Sequence, residues 1–402
     1  MLRFFILLLS LLLVSLEADN KKDGLAYLNT IREHAGLIKF KPNKALEKAA
    51  TAHAKYLIRN QTKSHYEKKG RSSFTGTTPS KRVLKAGYPT AFVMENLSTN
   101  TKGYQRSIES IFSAIYHRFA FFSFDKDEIG FGSALGKKKR KINRAYVYNI
   151  GSSAIADLCS DSFSMTYGMY YVKDICKQSS KMIPKSLIDE KKDQTRRKNG
   201  EIILYPYAGQ RGIWPAFYNE SPDPLPGYKV SGFPISVQFN PVRYNTIELK
   251  SFRLYDASGK EIKETKILQQ KNDQNHLFTK FEFALMPLKR LEFDTTYTAH
   301  FEAVADGRKV KRRWAFKTTK PEETLFRITK NKSKLNVKAG STVVLYIVPN
   351  TKKDVMSTYI SRGGIKVSFL DQNTLKVTFP KKRSSGRVSL EMGKRKIFFD
   401  VE

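Results

Sequence analysis

Six histidines and a few acids in apolar surroundings are the side chains of this 402-residue chain best suited to chemistry. Four of the histidines, His34, His53, His65 and His117, lie in the first third of the chain. Two histidines and an acid that converge from distant parts of a chain can form a zinc site. Glu95 stands in an apolar stretch, where a buried carboxylate must be paired or hydrogen-bonded. These residues predict either a metal site or a hydrogen-bonded polar cluster that only organises the fold.

Other catalytic patterns are missing from the sequence. No serine stands in a nucleophile-elbow pattern, and there is neither an HExxH motif nor a phosphate-binding loop. His53 falls in the apolar stripe of a helix and is predicted to be a buried packing residue. Glu109 precedes His117 by eight residues. On one straight helix that spacing is about 12 Å along the axis, so these two side chains cannot touch there.

The elements that must position these residues form an α+β pattern. Asn43 is predicted to cap a helix that ends near Asn60 and leads into the loop carrying His65. A later amphipathic helix, SIESIFSAIYHRF, is predicted to carry His117 at its end. Two strands follow, EIGFGSAL and RAYVYNIGSS, and the alternating polarity of the second predicts a half-buried antiparallel pair. The basic turn between them, Lys137–Lys141, favours a solvated hairpin tip over an anion-binding site.

The start of the chain indicates export. Arg3 precedes an apolar run from Phe4 to Leu16, which has the length of a signal-peptide core and is too short to span a bilayer. We predict a signal peptide over residues 1–18, with an uncleaved anchor as the alternative, and no transmembrane helix in the mature chain. In an oxidising compartment Cys159 and Cys176 are predicted to form a disulfide, worth roughly 3 kcal/mol through loop closure.

The charge is one-sided, with 72 Lys and Arg against 37 Asp and Glu and a formal net charge of +35. Such a surface favours anionic neighbours such as phospholipid headgroups, acidic glycans or nucleic acid. The basic residues are spread along the chain, and export opposes a nucleic-acid role. We therefore expect an anionic lipid, glycan or protein of the cell envelope as the partner. A lysine-rich surface that is merely solvated is the alternative.

Beyond the first domain, the chain is predicted to change class. Residues 159–200 are expected to be a disulfide-bounded segment followed by a polar linker. Short alternating runs broken by turn signals then predict a β-sandwich over residues 201–320, whose core we expect Trp214 and Trp314 to fill. Further short strands predict a small all-β domain over residues 322–402.

Five short motifs follow one another in the first domain: Ser64-His65, Gly87-Tyr88, Glu95-Asn96, Tyr116-His117-Arg118 and Ile129-Gly130-Phe131-Gly132. Their order resembles that of the CAP superfamily, the cysteine-rich secretory, antigen 5 and pathogenesis-related proteins, also called SCP-like extracellular domains. The resemblance covers residues 22–158 and is closest to the bacterial exported branch. It implies a three-layer α-β-α sandwich. The later segment YPYAGQRGIWPAFYNESPDPLPGY resembles the start of a β-sandwich attached to some bacterial CAP proteins.

The resemblance also implies a cleft with two histidines and two acids, which in some members binds a divalent metal such as zinc. By position, His65 and His117 match the two histidines and Glu95 matches one acid. Glu109 is the one candidate for the other acid. The family implies a binding or interaction module at the cell envelope more than an enzyme. The alternative is a metal-dependent peptidase or other hydrolase in which Glu95 acts as general base.

Overall fold

The computed structural model describes residues 21–162, 170–381 and 387–402. The predicted signal peptide, residues 1–18, lies outside these ranges. The described part of the chain folds as an α+β domain followed by two all-β domains, which confirms the predicted fold class. No helix within it is long and apolar enough to cross a membrane.

The first domain is built on one four-stranded sheet. Its helices are α1 (21–34), α2 (Lys44–Asn60), α3 (Pro79–Ala86), α4 (Gly103–Ser113), α5 (Ile115–Phe121) and α6 (Ser153–Ser160). Its strands are β1 (Lys41–Pro42), β2 (Met94–Thr99), β3 (Glu128–Leu135) and β4 (Arg144–Gly151). The sheet order is β1-β3-β4-β2, in which β3 and β4 form the predicted antiparallel hairpin.

Helices cover both faces of this sheet. Alternate side chains of β4 point to opposite faces, and each set packs against a different helix. Val147 packs in a cluster with Leu57 of α2. Its neighbour Tyr148 packs in the main core with Ile108 of α4. Asn43 caps α2 as predicted, since its side-chain oxygen accepts hydrogen bonds from the amides of residues 45 and 46. The result is the three-layer arrangement that the resemblance implied.

The stretch predicted as one helix ending at His117 is two helices. Ala114 has φ -85° and ψ 110°, an extended conformation that separates α4 from α5. The amides of Tyr116 and His117, which a continuous helix would use internally, instead donate to the carboxylate of Glu220. His117 therefore lies in the first turn of α5 and not at a helix end, so this prediction was wrong.

The segment between the first domain and the sandwich is partly structured. Cys159 and Cys176 form the predicted disulfide. The short strands β5 (Tyr171–Val172) and β6 (Ile183–Pro184) pair with each other. They are followed by α7 (Lys185–Arg196), which lies within the predicted linker and packs against α6 through buried Ile188.

The second domain is a sandwich of two sheets with orders β12-β13-β10-β7 and β11-β14-β15. The strands are β7 (Ile202–Tyr205), β8 (Ala216–Phe217), β9 (Ser231–Gly232), β10 (Ile235–Phe239), β11 (Ile247–Tyr255), β12 (Thr265–Gln269), β13 (Glu282–Pro287), β14 (Thr296–Ala305) and β15 (Arg308–Lys317). Trp314 lies in the core as predicted. The prediction for Trp214 was wrong, because its indole nitrogen donates to Asp371 of the third domain at 2.8 Å.

The third domain is a smaller sandwich with its own core. Its strands are β16 (Thr324–Ile328), β17 (Lys332–Val337), β18 (Thr342–Ile347), β19 (Ile360–Arg362), β20 (Lys366–Asp371), β21 (Thr374–Thr378), β22 (Val388–Met392) and β23 (Arg395–Val401). The sheet orders are β16-β18-β21-β20 and β17-β23-β22-β19.

The first two domains share one hydrophobic core. Phe112 at the end of α4 stacks on Tyr205 of β7 with 4.9 Å between ring centroids. Arg118 of α5 is fully buried between the domains and donates to the hydroxyl of Ser236 at 2.9 Å. Because a guanidinium that stays buried without its hydrogen-bond partners is costly, this contact fixes α5 against the sandwich.

Candidate functional site

Three of the four residues matched to the CAP cleft lie together. The imidazole Nδ1 of His65 is 3.0 Å from a carboxylate oxygen of Glu95. The rings of His65 and His117 are nearly parallel, with 6.2 Å between centroids and 19° between planes. The His65 side chain is 33% exposed and that of His117 is 22% exposed, whereas Glu95 is buried. The site therefore presents two imidazoles to solvent in front of a buried acid.

Glu95 is held by Arg82, a fully buried residue of α3. One guanidinium nitrogen, Nη2, donates to both oxygens of Glu95, at 2.8 and 2.7 Å. Burial opposes the ionisation of Glu95, but the hydrogen bond from His65 and the charge of Arg82 outweigh it and hold the pKa of Glu95 below its usual range. Arg82 was not identified from the sequence, where it reads as one of many basic helix residues.

A second buried acid belongs to the same network. His53 is fully buried, as predicted, but it is hydrogen-bonded as well as packed: its Nδ1 lies 2.9 Å from Glu67. Glu67 accepts from the amides of Thr75 and Gly76. Burial opposes ionisation here too, yet the bonds from His53 and these amides hold the pKa of Glu67 below its usual range. The loop that carries His65 is thus anchored from both sides.

Glu109 is engaged elsewhere. Its carboxylate accepts from the hydroxyl of Tyr27 at 3.2 Å and from the side chains of Gln105 and Arg106. The structure does not bring it to the two histidines, and Ala114 separates its helix from that of His117. It is placed in the cleft only by the family resemblance.

The acid beside His117 is Glu220, which sequence reasoning missed. It belongs to the sandwich domain, 103 residues away, and one of its oxygens lies 2.7 Å from the Nδ1 of His117. Its segment, FYNESPDPLPGY, stood out only as a Pro-rich start of the sandwich. No spacing in the sequence could have indicated which acid of that domain meets α5.

The sandwich holds this end of α5 at a second point. The hydroxyl of Tyr116 donates to buried Asp273, and the amide of Asn275 donates to the same hydroxyl at 2.9 Å. Burial opposes the ionisation of Asp273, but the hydrogen bonds from Tyr116 and from backbone amides outweigh it and lower the pKa of Asp273. Both domains therefore build the cleft. The first domain contributes the two histidines and Glu95, and the second contributes acids that hold α5 in place.

The two carboxylates also fix the orientation of the imidazoles. When Nδ1 faces an ionised carboxylate it carries the proton, which leaves Nε2 as the acceptor nitrogen. A histidine oriented in this way by a carboxylate is typical of metal ligands. However, no group of three or more His, Cys, Asp or Glu in the described ranges is arranged to hold a metal ion. If His65 and His117 held a metal, they would contribute two of the usual four ligands.

Replacing Glu220 by alanine is expected to lower the free energy of unfolding by roughly 2–3 kcal/mol, because two amides and the His117 ring lose a charged acceptor. Glu220→Gln keeps a neutral oxygen and should lose about half as much. Denaturant unfolding measures the loss, and the ring ¹⁵N shifts of His117 report its tautomer. Glu109→Ala is the matched control and should leave the His117 shifts unchanged. Unchanged shifts in Glu220→Ala would contradict the assigned pairing.

Residues 25–150 match the family model of the cysteine-rich secretory protein family, CAP. An outer surface protein from Borrelia burgdorferi is 22% identical over 33% of this chain and 92% of that one, with a TM-score of 0.29. An extracellular protein containing a SCP domain from Bacillus anthracis is 17% identical over 34% of this chain and 41% of that one, with a TM-score of 0.29. The search of curated proteins found no match.

Proposed function

We propose, from the membership of residues 25–150 in the CAP family, that this chain is an exported binding module of the cell envelope. The recognition site is the cleft of His65 and His117. One observation carries this proposal: both acids behind the histidines are already used as hydrogen-bond acceptors. Glu95 is held by Arg82 and Glu220 by His117 and two amides. The two imidazoles are therefore accessible to a partner, whereas the two carboxylates are buried and hydrogen-bonded within the protein.

The same observation argues against the hydrolase alternative. A general base in a metal-dependent peptidase must reach the attacking water and accept its proton. Glu95 is buried, bridged by Arg82 and has a pKa held below its usual range, so it is a weak base. Glu220 is likewise buried beneath the His117 ring. Binding is the better fit to this geometry.

We include a divalent metal such as zinc in this proposal only as a group that the partner would help to bind, since the described residues hold no set of three or more His, Cys, Asp or Glu arranged for a metal ion. His65 and His117 would bind it through Nε2, and Glu95 and Glu220 would hold the rings in place. Once bound, the metal would offer open coordination positions to an anionic group of the ligand. The partner class that fits both the cleft and the basic surface is an anionic lipid, glycan or protein of the envelope.

Retention of the purified chain on envelope fractions tests this proposal. We expect the double variant His65→Ala/His117→Ala to lose retention by about tenfold or more, which equals about 1.4 kcal/mol of binding free energy. His300→Ala, on strand β14 of the sandwich, is the control and should bind as the unaltered chain does. Equal retention of all three proteins would overturn the cleft as recognition site. Peptide hydrolysis that His117→Ala abolishes would favour the alternative function instead.

Titration calorimetry with Zn²⁺ tests the metal separately. The chain should bind the ion weakly with two protein ligands, and the double variant should not bind it. If zinc binding is absent while retention still depends on the histidines, the imidazoles contact the partner directly.

A further inference from the structure

One end of the first domain carries a dense group of exposed cations. α2 ends at Asn60, and hydrogen bonds of Asn60 and Gln61 bring the loop after it and the β3–β4 hairpin to that end. Ten basic side chains here are exposed: Arg59, Lys63, Lys68, Lys69, Arg71 and the five of Lys137–Lys141. We call this surface the basic tip. Among the described residues, none of these ten side chains takes part in an ion pair.

The basic tip differs from the rest of this lysine-rich chain, because its segments contain almost no acidic residues. Between residues 48 and 94 the only acid is Glu67, which is buried in the network of the cleft. Between residues 129 and 156 there is none. Some exposed lysines elsewhere have acidic partners, as in the pairs of Lys289 with Glu264 and Lys334 with Asp400. The cations of the tip are therefore uncompensated by neighbouring side chains.

The segments of the tip are joined into one surface. The side-chain amide of Gln61, at the end of α2, donates to the carbonyl of Ile142 and accepts from its amide, both at 2.9 Å. Asn60 donates to the carbonyl of Ser72 at 2.9 Å. Two large apolar side chains stand among the cations: Leu135 is 71% exposed and Tyr66 is 63% exposed. A solvated hairpin tip does not require either of them.

We propose that the basic tip is a membrane-docking surface, which binds a bilayer rich in anionic phospholipid. Cations clustered at a bilayer are attracted by its negative surface potential. Apolar and aromatic side chains beside them enter the boundary between headgroups and acyl chains. An acidic polysaccharide would match the charge but offers nothing to an exposed leucine. This proposal deepens the proposed function: His65 lies in the loop between Lys63 and Lys68, so docking would bring the cleft to the membrane surface.

Cosedimentation of the chain without residues 1–18 with lipid vesicles tests the docking surface. Binding is expected to vesicles of phosphatidylcholine with phosphatidylglycerol and not to phosphatidylcholine alone. The variant Lys137→Gln/Lys139→Gln/Lys141→Gln should bind about a hundredfold more weakly, since each cation near an anionic bilayer contributes about fivefold. Leu135→Ser should weaken binding about tenfold without changing the net charge.

The matched control removes three exposed lysines from the third domain: Lys330→Gln/Lys332→Gln/Lys338→Gln. It has the same net charge as the tip variant and should bind vesicles as the unaltered chain does. Equal losses in the two triple variants would overturn the proposal, because net charge alone would then explain binding. Capture by immobilised heparin without binding to vesicles would also overturn it and identify an acidic glycan as the partner. The double variant His65→Ala/His117→Ala should keep vesicle binding, which separates this surface from the cleft.

Discussion

Replacing Arg82 by alanine is expected to destabilise the first domain by roughly 3–5 kcal/mol, the usual cost of removing one partner of a buried ion pair. Glu95 would lose its charged donor while remaining buried. Glu67, 3.8 Å from the Nε of Arg82, would lose a neighbouring charge. The carbonyl of His65 would also lose its donor. This loss is a large part of the stability of a typical domain. Since Arg82 also holds the loop of His65, we expect that loop to unfold in the variant.

Denaturant unfolding at two pH values distinguishes this mechanism from a simple packing defect. In the unaltered chain the pKa of Glu95 is lowered, so its stabilisation is present above the ordinary glutamate pKa and is lost as the pH falls. In Arg82→Ala the unpaired acid takes up a proton more readily, and the difference from the unaltered chain should shrink as the pH falls. Lys85→Ala, exposed on the same helix, is the control and should change stability by less than about 0.5 kcal/mol. A loss independent of pH would contradict the ion-pair explanation.

A second variant sharpens the test. Arg82→Ala/Glu95→Gln removes the charge that Arg82 compensates, so the double variant should be more stable than Arg82→Ala alone. If the losses of Arg82→Ala and Glu95→Gln simply add in the double variant, Arg82 stabilises the domain through its contacts with backbone carbonyls and not through Glu95.

Local signals in the sequence were sufficient for much of the fold. The cap at Asn43 and the polarity pattern of β4 each act within a few residues, so they predicted the cap and the antiparallel pair correctly. The prediction that this pair is half-buried was wrong, because β4 is buried on both faces beneath the helices. The break at Ala114 could not be predicted in this way. Alanine is the strongest helix former, and the break is accompanied by hydrogen bonds to Glu220, a residue of another domain. Tertiary contacts overrode local propensity at the position that orients His117.

In the cleft, too, some features could be predicted from local sequence and others depend on tertiary contacts. The motifs around His65, Glu95 and His117 matched a known family, and the structure brings these residues together. The order of motifs could not indicate the acid that contacts His117, because that contact depends on how two domains pack. Arg82 was missed for a different reason: a buried arginine and a solvated one look alike in a basic chain. The apolar setting of Glu95 was the one signal that a buried cation must be near.

The largest effect after that of Arg82 is expected from Gly132→Ala on β3. A Cβ atom at Gly132 would stand 2.2 Å from the backbone of α2 at Ala50 and Thr51. Backbone atoms cannot rotate away as a side chain can, so α2 would have to move off the sheet. We expect a loss of about 3 kcal/mol or more in the free energy of unfolding, at the upper end of overpacking effects.

Gly136→Ala, in the same hairpin, separates this close approach from the general cost of a methyl group. There the nearest atom to an added Cβ is the Cγ2 methyl of Ile58 at 2.9 Å, so a side chain and not the backbone must give way. The control should therefore lose about 1 kcal/mol, at the lower end of overpacking effects. Since α2 carries His53 and leads into the loop of His65, Gly132→Ala should also change the His65 ring shifts, and Gly136→Ala should not. Equal losses in the two variants would mean that α2 can move away from β3 at little cost, and the cleft would then not depend on the glycines of this strand.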